Sequence, residues 1–236
     1  MAVTTVLFDL DGTLLGMDQD KFTNAYFSLM AKKMCAFGYD PDLLIKNIWK
    51  GTAMMVMNNG THTNEEVFWS FFESVYPGKS KEDYPKFEEF YRNEFQRVEG
   101  ICDSHKEAND IVQLCKKLGF RVALATNPIF PSVATESRIR WAGLDIEDFE
   151  LVTTYENSYS SKPNPQYYVE VCTKLGVKPE ECLMIGNDVE EDMVAQKLGM
   201  KVFLLTNDMI NKKEKDISQY PNGDFEALKS FFRDIA

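Results

Sequence analysis

Between positions 20 and 97 the chain carries helical periodicity and no convincing strand, and this block interrupts a pattern of strands and helices. Phe22, Tyr26, Met30 and Met34 recur every four residues. Val67, Phe68, Phe71, Phe72 and Val75 make a second apolar face, and Phe87, Phe90, Tyr91 and Phe95 a third. Asp40-Pro41 and Tyr76-Pro77-Gly78 punctuate these helices. Ahead of the block, residues 3–8 (Val-Thr-Thr-Val-Leu-Phe) read as a buried strand ending at Asp9. From about residue 100, the spacing predicts helices at 108–118, 132–141, 166–175, 190–198 and 225–235. Strands are expected at 120–125, 150–153, 182–185 and 201–205. Such alternation implies a parallel sheet covered by helices on both faces. The expected plan is therefore a three-layer, Rossmann-like α/β core split by an all-helical insertion after its first strand. Residues 1–15 and 98–236 would form the core, and 16–97 the helical domain.

A chain of 236 residues, 44% of them hydrophobic, has ample material for such a core. Its 26 basic against 37 acidic residues give a net charge of −11. That balance argues against a nucleic-acid or anionic-membrane surface, where Lys and Arg would cluster, but leaves room for a small phosphorylated ligand. No apolar run approaches the roughly 18 residues of a membrane span, and the first residues lack the pattern of a signal peptide. Five cysteines, odd in number and without a CxxC, fit reduced thiols and a cytoplasmic location. GxGxxG, P-loop and GxSxG motifs are absent, and His62 and His105 stand isolated.

Ligands of open α/β sheets sit at the carboxyl ends of the strands, and the unusual residues fall there. The first strand runs into Asp9-Leu10-Asp11-Gly12-Thr13. A carboxylate there can act as a covalent nucleophile, and a second as general acid and base; both suit Mg2+, and an ordinary acidic loop is the alternative. The strand at 120–125 runs into Thr126-Asn127-Pro128, where Thr126 could bind a phosphoryl oxygen or cap the next helix. Lys162, in Ser161-Lys162-Pro163, could neutralise a phosphate or be a solvated lysine. The strand at 182–185 leads into Gly186-Asn187-Asp188, with Asp192 four residues on. Asp188 and Asp192 would share one face of a helical turn, whereas Glu190 and Glu191 read as ordinary N-terminal helix acids.

In this order, Asp9-Leu-Asp-Gly-Thr, Thr126-Asn, Lys162-Pro and Gly186-Asn-Asp188-x-x-x-Asp192 resemble the four motifs of the haloacid dehalogenase (HAD) superfamily, over essentially the whole chain. The helical insertion is similar to that superfamily's smaller cap domain. The resemblance implies that Asp9 attacks phosphorus, giving an aspartyl-phosphate. Asp11 would protonate the leaving oxygen and then activate water. Thr126, Asn127 and Lys162 would hold the phosphoryl group, Lys162 also ordering Asp9. The metal, normally Mg2+, would be held by the Asp9 carboxylate, the Asp11 backbone carbonyl and Asp188, with Asp192 bracing Lys162 or the metal waters. One departure stands out: the family's fourth motif often has Asp immediately after Gly, and here Asn187 intervenes. The presence of Asp11 favours a phosphate ester over a halide as substrate. The implied function is Mg2+-dependent hydrolysis of a small phosphorylated metabolite, with a sugar-phosphate mutase and a non-catalytic phosphate-binding regulator as alternatives. Specificity would lie in the cap, where Met54 to Gly60 could face the substrate or serve as cap core.

Overall fold

A computed structural model describes residues 2–235; Met1 and Ala236, the outer ends of the expected core segments, lie outside it. The first strand, β1 (Thr5–Phe8), is followed by a two-residue strand, β2 (Leu15–Gly16). Four helices then run in succession: α1 (Gln19–Cys35), α2 (Pro41–Val56), α3 (Asn64–Val75) and α4 (Lys79–Arg92). A 3₁₀ stretch, Glu94–Ile101, leads to β3 (Asp103–Ser104), which pairs antiparallel with β2. The chain thus enters and leaves the helical layer through one paired neck. The remaining elements are α5 (Glu107–Lys117), β4 (Arg121–Leu124), α6 (Ser132–Trp141), α7 (Pro165–Leu175), β5 (Cys182–Gly186), β6 (Lys201–Leu205), β7 (Asn222–Gly223) and α8 (Phe225–Ile235).

The five-stranded sheet has the order β4-β1-β5-β6-β7, and every pairing in it is parallel. Both faces are covered, which is why its strands read as continuous apolar runs rather than alternating ones. Side chains still alternate between faces. Val6, Phe8, Val122, Leu124, Leu183, Ile185, Phe203 and Leu205 enter one core. Leu7, Ala123, Cys182, Met184, Val202 and Leu204 enter the other, against α7. The first core continues into the helical layer through Phe22, Tyr26, Phe90, Phe95 and others, so cap and core share one apolar interior.

Capping sets the start of three of the four helices in the layer. Asp18 and Asp40 accept hydrogen bonds from Lys21 N and Leu43 N, and Thr63 with Glu66 forms a reciprocal capping box at the start of α3. The layer is also stitched to the core loops. Asn64 is fully buried, and its amide donates to the Pro128 carbonyl and to Ser161 Oγ, each at 3.0 Å. Asn58 in turn donates to Asn64 Oδ1 at 2.8 Å.

Several expectations need correction. The helix expected at 190–198 is a shorter 3₁₀ segment, Met193–Leu198, preceded by a turn in which Asp188 Oδ1 accepts from the N–H groups of residues 190 and 191 and Asp192 Oδ2 from that of residue 188. The strand expected at 150–153 is a single parallel bridge between Leu124 and Val152. The Met cluster is split: Met55 is buried, whereas Met54 and Met57 point outward. All five cysteines are free, as expected, although Cys172 and Cys182, ten residues apart, bring their sulfurs to 3.8 Å. No helix among the described residues is long and apolar enough to cross a membrane.

Candidate active site

β1 and β5 are adjacent and parallel, with Phe8 in register with Ile185, so the residues after each emerge side by side. Asp9 follows β1 directly, and its N–H donates to the Ile185 carbonyl at 2.9 Å, extending the ladder by one step. The chain then turns sharply at Gly12, whose φ of +83° suits glycine; a Cβ there would also collide with the Asn187 amide. Asn187, the residue that departs from the family pattern, occupies that space for a reason. Its amide donates to the Asp208 carbonyl at 2.7 Å, and its Oδ1 accepts from Thr13 Oγ1 at 3.2 Å. Thr13 also reaches Asp9 Oδ2 at 3.3 Å.

Lys162 is 1% exposed, which no isolated ammonium would tolerate. Its Nζ donates to Asp9 Oδ1 at 2.8 Å and to Asp192 Oδ1 at 2.6 Å. Burial alone would lower the lysine pKa; Asp192 and then Asp9 overcome it and hold the group well above its ordinary value. Burial also pushes the Asp192 carboxyl up, with Lys162 opposing. Asp192 Oδ2 accepts from Asp188 N at 3.0 Å. Its carboxylate passes so close to Gly186 that a side chain there would collide with it. Asp188 accepts from the N–H groups of Glu190 and Glu191 through Oδ1 alone.

Asp9, Asp11, Thr126, Asn127, Asp188 and Asp192 line one cavity of about 360 Å³, and Lys162 lies beneath it against Asp9. The structure therefore brings together the seven strand-end and loop residues singled out from the sequence, whereas Met54 and Met57 stay outside. Asn127 donates to Glu191 Oε2 at 3.0 Å, which leaves its own Oδ1 buried and without a donor. Glu190 pairs at the surface with Lys213 and Lys215. Glu191 instead faces the cavity, and burial pushes its carboxyl up to about 7.

Sequence reasoning missed Arg138. Fully buried on α6, it donates from Nη1 to Asp11 Oδ2, packs over the Phe130 ring at 4.4 Å, and is held by the Ala134 carbonyl and Thr135 Oγ1. A signal was present: Ala134 and Thr135, four and three residues before it, and Trp141 and Ala142, three and four after it, put Arg138 on the inward face of its helix. Burial raises the Asp11 carboxyl above the ordinary range, with Arg138 opposing and Asp9 adding to the rise. Because Arg138→Met would leave the Asp11 carboxylate without the one hydrogen-bond partner it has among the described residues, denaturant unfolding should show a loss of about 3–5 kcal/mol. Adding Asp11→Asn should restore part of it. Equal stability of Arg138→Met and the parent would contradict the pairing.

The donor set suits a hard divalent cation. Asp11 Oδ1 is buried with no hydrogen-bond partner, and acidic side chains crowd the strand ends with Lys162 as their buried counter-charge. Among the described residues no three His, Cys, Asp or Glu side chains form a ready-made cage. Mg2+ does not require one, since it is commonly held by one or two carboxylates together with water.

The chain as a whole is similar to known proteins. The pyrophosphatase PpaX of Bacillus cereus (strain AH820) is 27% identical over 205 residues, covering 85% of this chain and 82% of that protein. A HAD phosphatase from Thermococcus onnurineus superposes with a TM-score of 0.60 at 17% identity, covering 98% of both chains. The HAD-hydrolase YfnB from Bacillus subtilis, described as bound to magnesium, superposes with a TM-score of 0.56 at 18% identity, covering 98% of this chain and 99% of that one. The family model of haloacid dehalogenase-like hydrolases matches residues 3–199. This chain belongs to that family.

Proposed function

We propose that this protein is a cytoplasmic Mg2+-dependent phosphatase that removes phosphate from a small phosphorylated metabolite through an aspartyl-phosphate on Asp9. One observation carries the reading: a buried lysine held between two carboxylates at the strand ends, one of which, Asp9, opens into the cavity. With Oδ1 held by Lys162, Asp9 can present its second oxygen to phosphorus. Lys162 also places positive charge where the transferred group gathers negative charge. Thr126 and Asn127, on the loop after β4, stand in the same cavity to orient the phosphoryl oxygens. Asp11 is the acid and base of the reaction. Burial favours its protonated form, and reaching the leaving oxygen requires it to turn from Arg138.

Mg2+, held by the Asp9 carboxylate, the Asp11 backbone carbonyl and Asp188, would offset the repulsion between the nucleophile and an anionic phosphate. Asp192 braces Lys162. Residues 16–97 act as the cap, with 1–15 and 98–236 as the catalytic core, and the partner is a small-molecule phosphate ester rather than nucleic acid or membrane. The relationship to PpaX supports phosphate chemistry, and the magnesium of YfnB supports the metal. Phosphate release from 4-nitrophenyl phosphate should vanish in EDTA and return with excess Mg2+. Full activity after exhaustive chelation would overturn the metal assignment, and no release under any condition would overturn the phosphatase.

A further inference from the structure

We propose that the substrate's leaving group is a flat, aromatic-type alcohol bearing no negative charge, rather than a carboxylated alcohol or a second phosphate. This rests on the phosphatase reading and names the substrate class for the same site. The cavity that begins at Asp9 continues between the core and the helical layer. Its far wall is made of rings: Phe27 from α1, Trp49 from α2, Trp69 from α3 and Tyr84 from α4, with Phe130 and Tyr155 from the core loops. These positions are not required by the strand-end chemistry. They come from six separate segments and converge on the space a leaving group would fill. Its volume of about 360 Å³ lies at the low end of the roughly 300–1,000 Å³ usual for small-molecule sites.

The charges on the lining point the same way. Asp9, Asp11, Glu88, Asp188, Glu191 and Asp192 contribute carboxylates, and among the described residues Lys212 is the only cation. Lys162, below Asp9, serves the phosphoryl group. The helical layer supplies no Lys or Arg to the lining. Its charged residue there is Glu88, on α4. A carboxylate or phosphate on the leaving group would lie against aromatic faces, whose quadrupole repels anions, and near a like charge. A flat neutral ring would instead stack among its own kind.

The wall also offers a paired polar handle. Tyr26 and Tyr91 both line the cavity and share a hydrogen bond between their hydroxyls at 2.9 Å. A pair of hydroxyls bonded to each other uses one of its two hydrogens, and the other is left to donate to an acceptor on the ligand. Burial pushes Tyr26 up to about 12, so it remains a donor at neutral pH.

Benzyl phosphate and phosphoglycolate test this, because both leave as primary alcohols and one carries a neutral ring where the other carries a carboxylate. With Mg2+ present, kcat/KM for benzyl phosphate should exceed that for phosphoglycolate and for inorganic pyrophosphate by on the order of 100-fold. Glu88→Lys should narrow the benzyl-to-glycolate ratio by about tenfold, mainly through the KM for phosphoglycolate. Phosphoglycolate or pyrophosphate turned over as well as benzyl phosphate would overturn the inference and leave the phosphatase standing. No phosphate release from any of the three would overturn the phosphatase reading and the inference with it. An unchanged ratio in Glu88→Lys would count against the charge argument.

Discussion

Asp9→Asn is expected to lower phosphate release by more than about 10⁴-fold while leaving the thermal unfolding midpoint close to that of the parent. The substitution keeps the shape of the side chain. The amide oxygen can still accept from Lys162, which sits 2.8 Å from Asp9 Oδ1, and Asp192 remains as the lysine's charged partner at 2.6 Å. What disappears is the nucleophilic charge. A neutral amide cannot attack phosphorus to give an acyl phosphate, so the loss should fall on kcat. Parallel phosphate-release assays and melting curves check both halves, and retained activity with an intact fold would remove Asp9 from the mechanism.

Lys162→Met should cost both function and stability. Asp9 and Asp192 would face each other across a buried gap with no cation between them. Because such a change leaves unpaired buried charge, about 3–5 kcal/mol of unfolding free energy should be lost. Turnover should fall roughly 10³-fold, because a preorganised charge aimed at the transferred group has gone. Lys162→Arg should not restore it. The lysine is 1% exposed and reaches both carboxylates from a single nitrogen, a geometry that a planar fork does not reproduce. Steady-state kinetics alongside denaturant titration would separate the two losses. Wild-type kcat in the arginine variant would show that charge alone suffices.

The α/β plan and the helical insertion were legible because each rests on long periodic segments. Val6 to Phe8, Val122 to Leu124 and Leu183 to Ile185 are apolar runs that only a sheet covered on both faces makes sense of. The residues at the strand ends were legible for a related reason, since Asp9, Thr126 and Asp188 each follow a strand within a few positions. Other features depend on tertiary contact. The neighbours of Arg138 put it on the inward face of α6, but only the docked helix reveals Asp11 as its partner, and Asn187 reads as a departure until Thr13 and the Asp208 carbonyl close around it. Glu191 reads as a helix-terminus acid because nothing local distinguishes it from Glu190, yet one faces the cavity and the other solvent-side lysines. The β2–β3 neck and β7 are two residues each, too short for any period to register. The aromatic wall was invisible as a unit because its members lie on different elements; along the chain each looked like core.

Covalent phosphorylation of Asp9 is the step on which the proposed reaction turns. The direct test is to quench the enzyme with acid during turnover of an aryl phosphate in Mg2+ and to locate added mass by peptide mass spectrometry. A phosphoryl group on the peptide carrying Asp9, absent from Asp9→Asn, is the predicted result. Rapid phosphate release with no phosphoryl group on that peptide, at any quench time shorter than a single turnover, would contradict it.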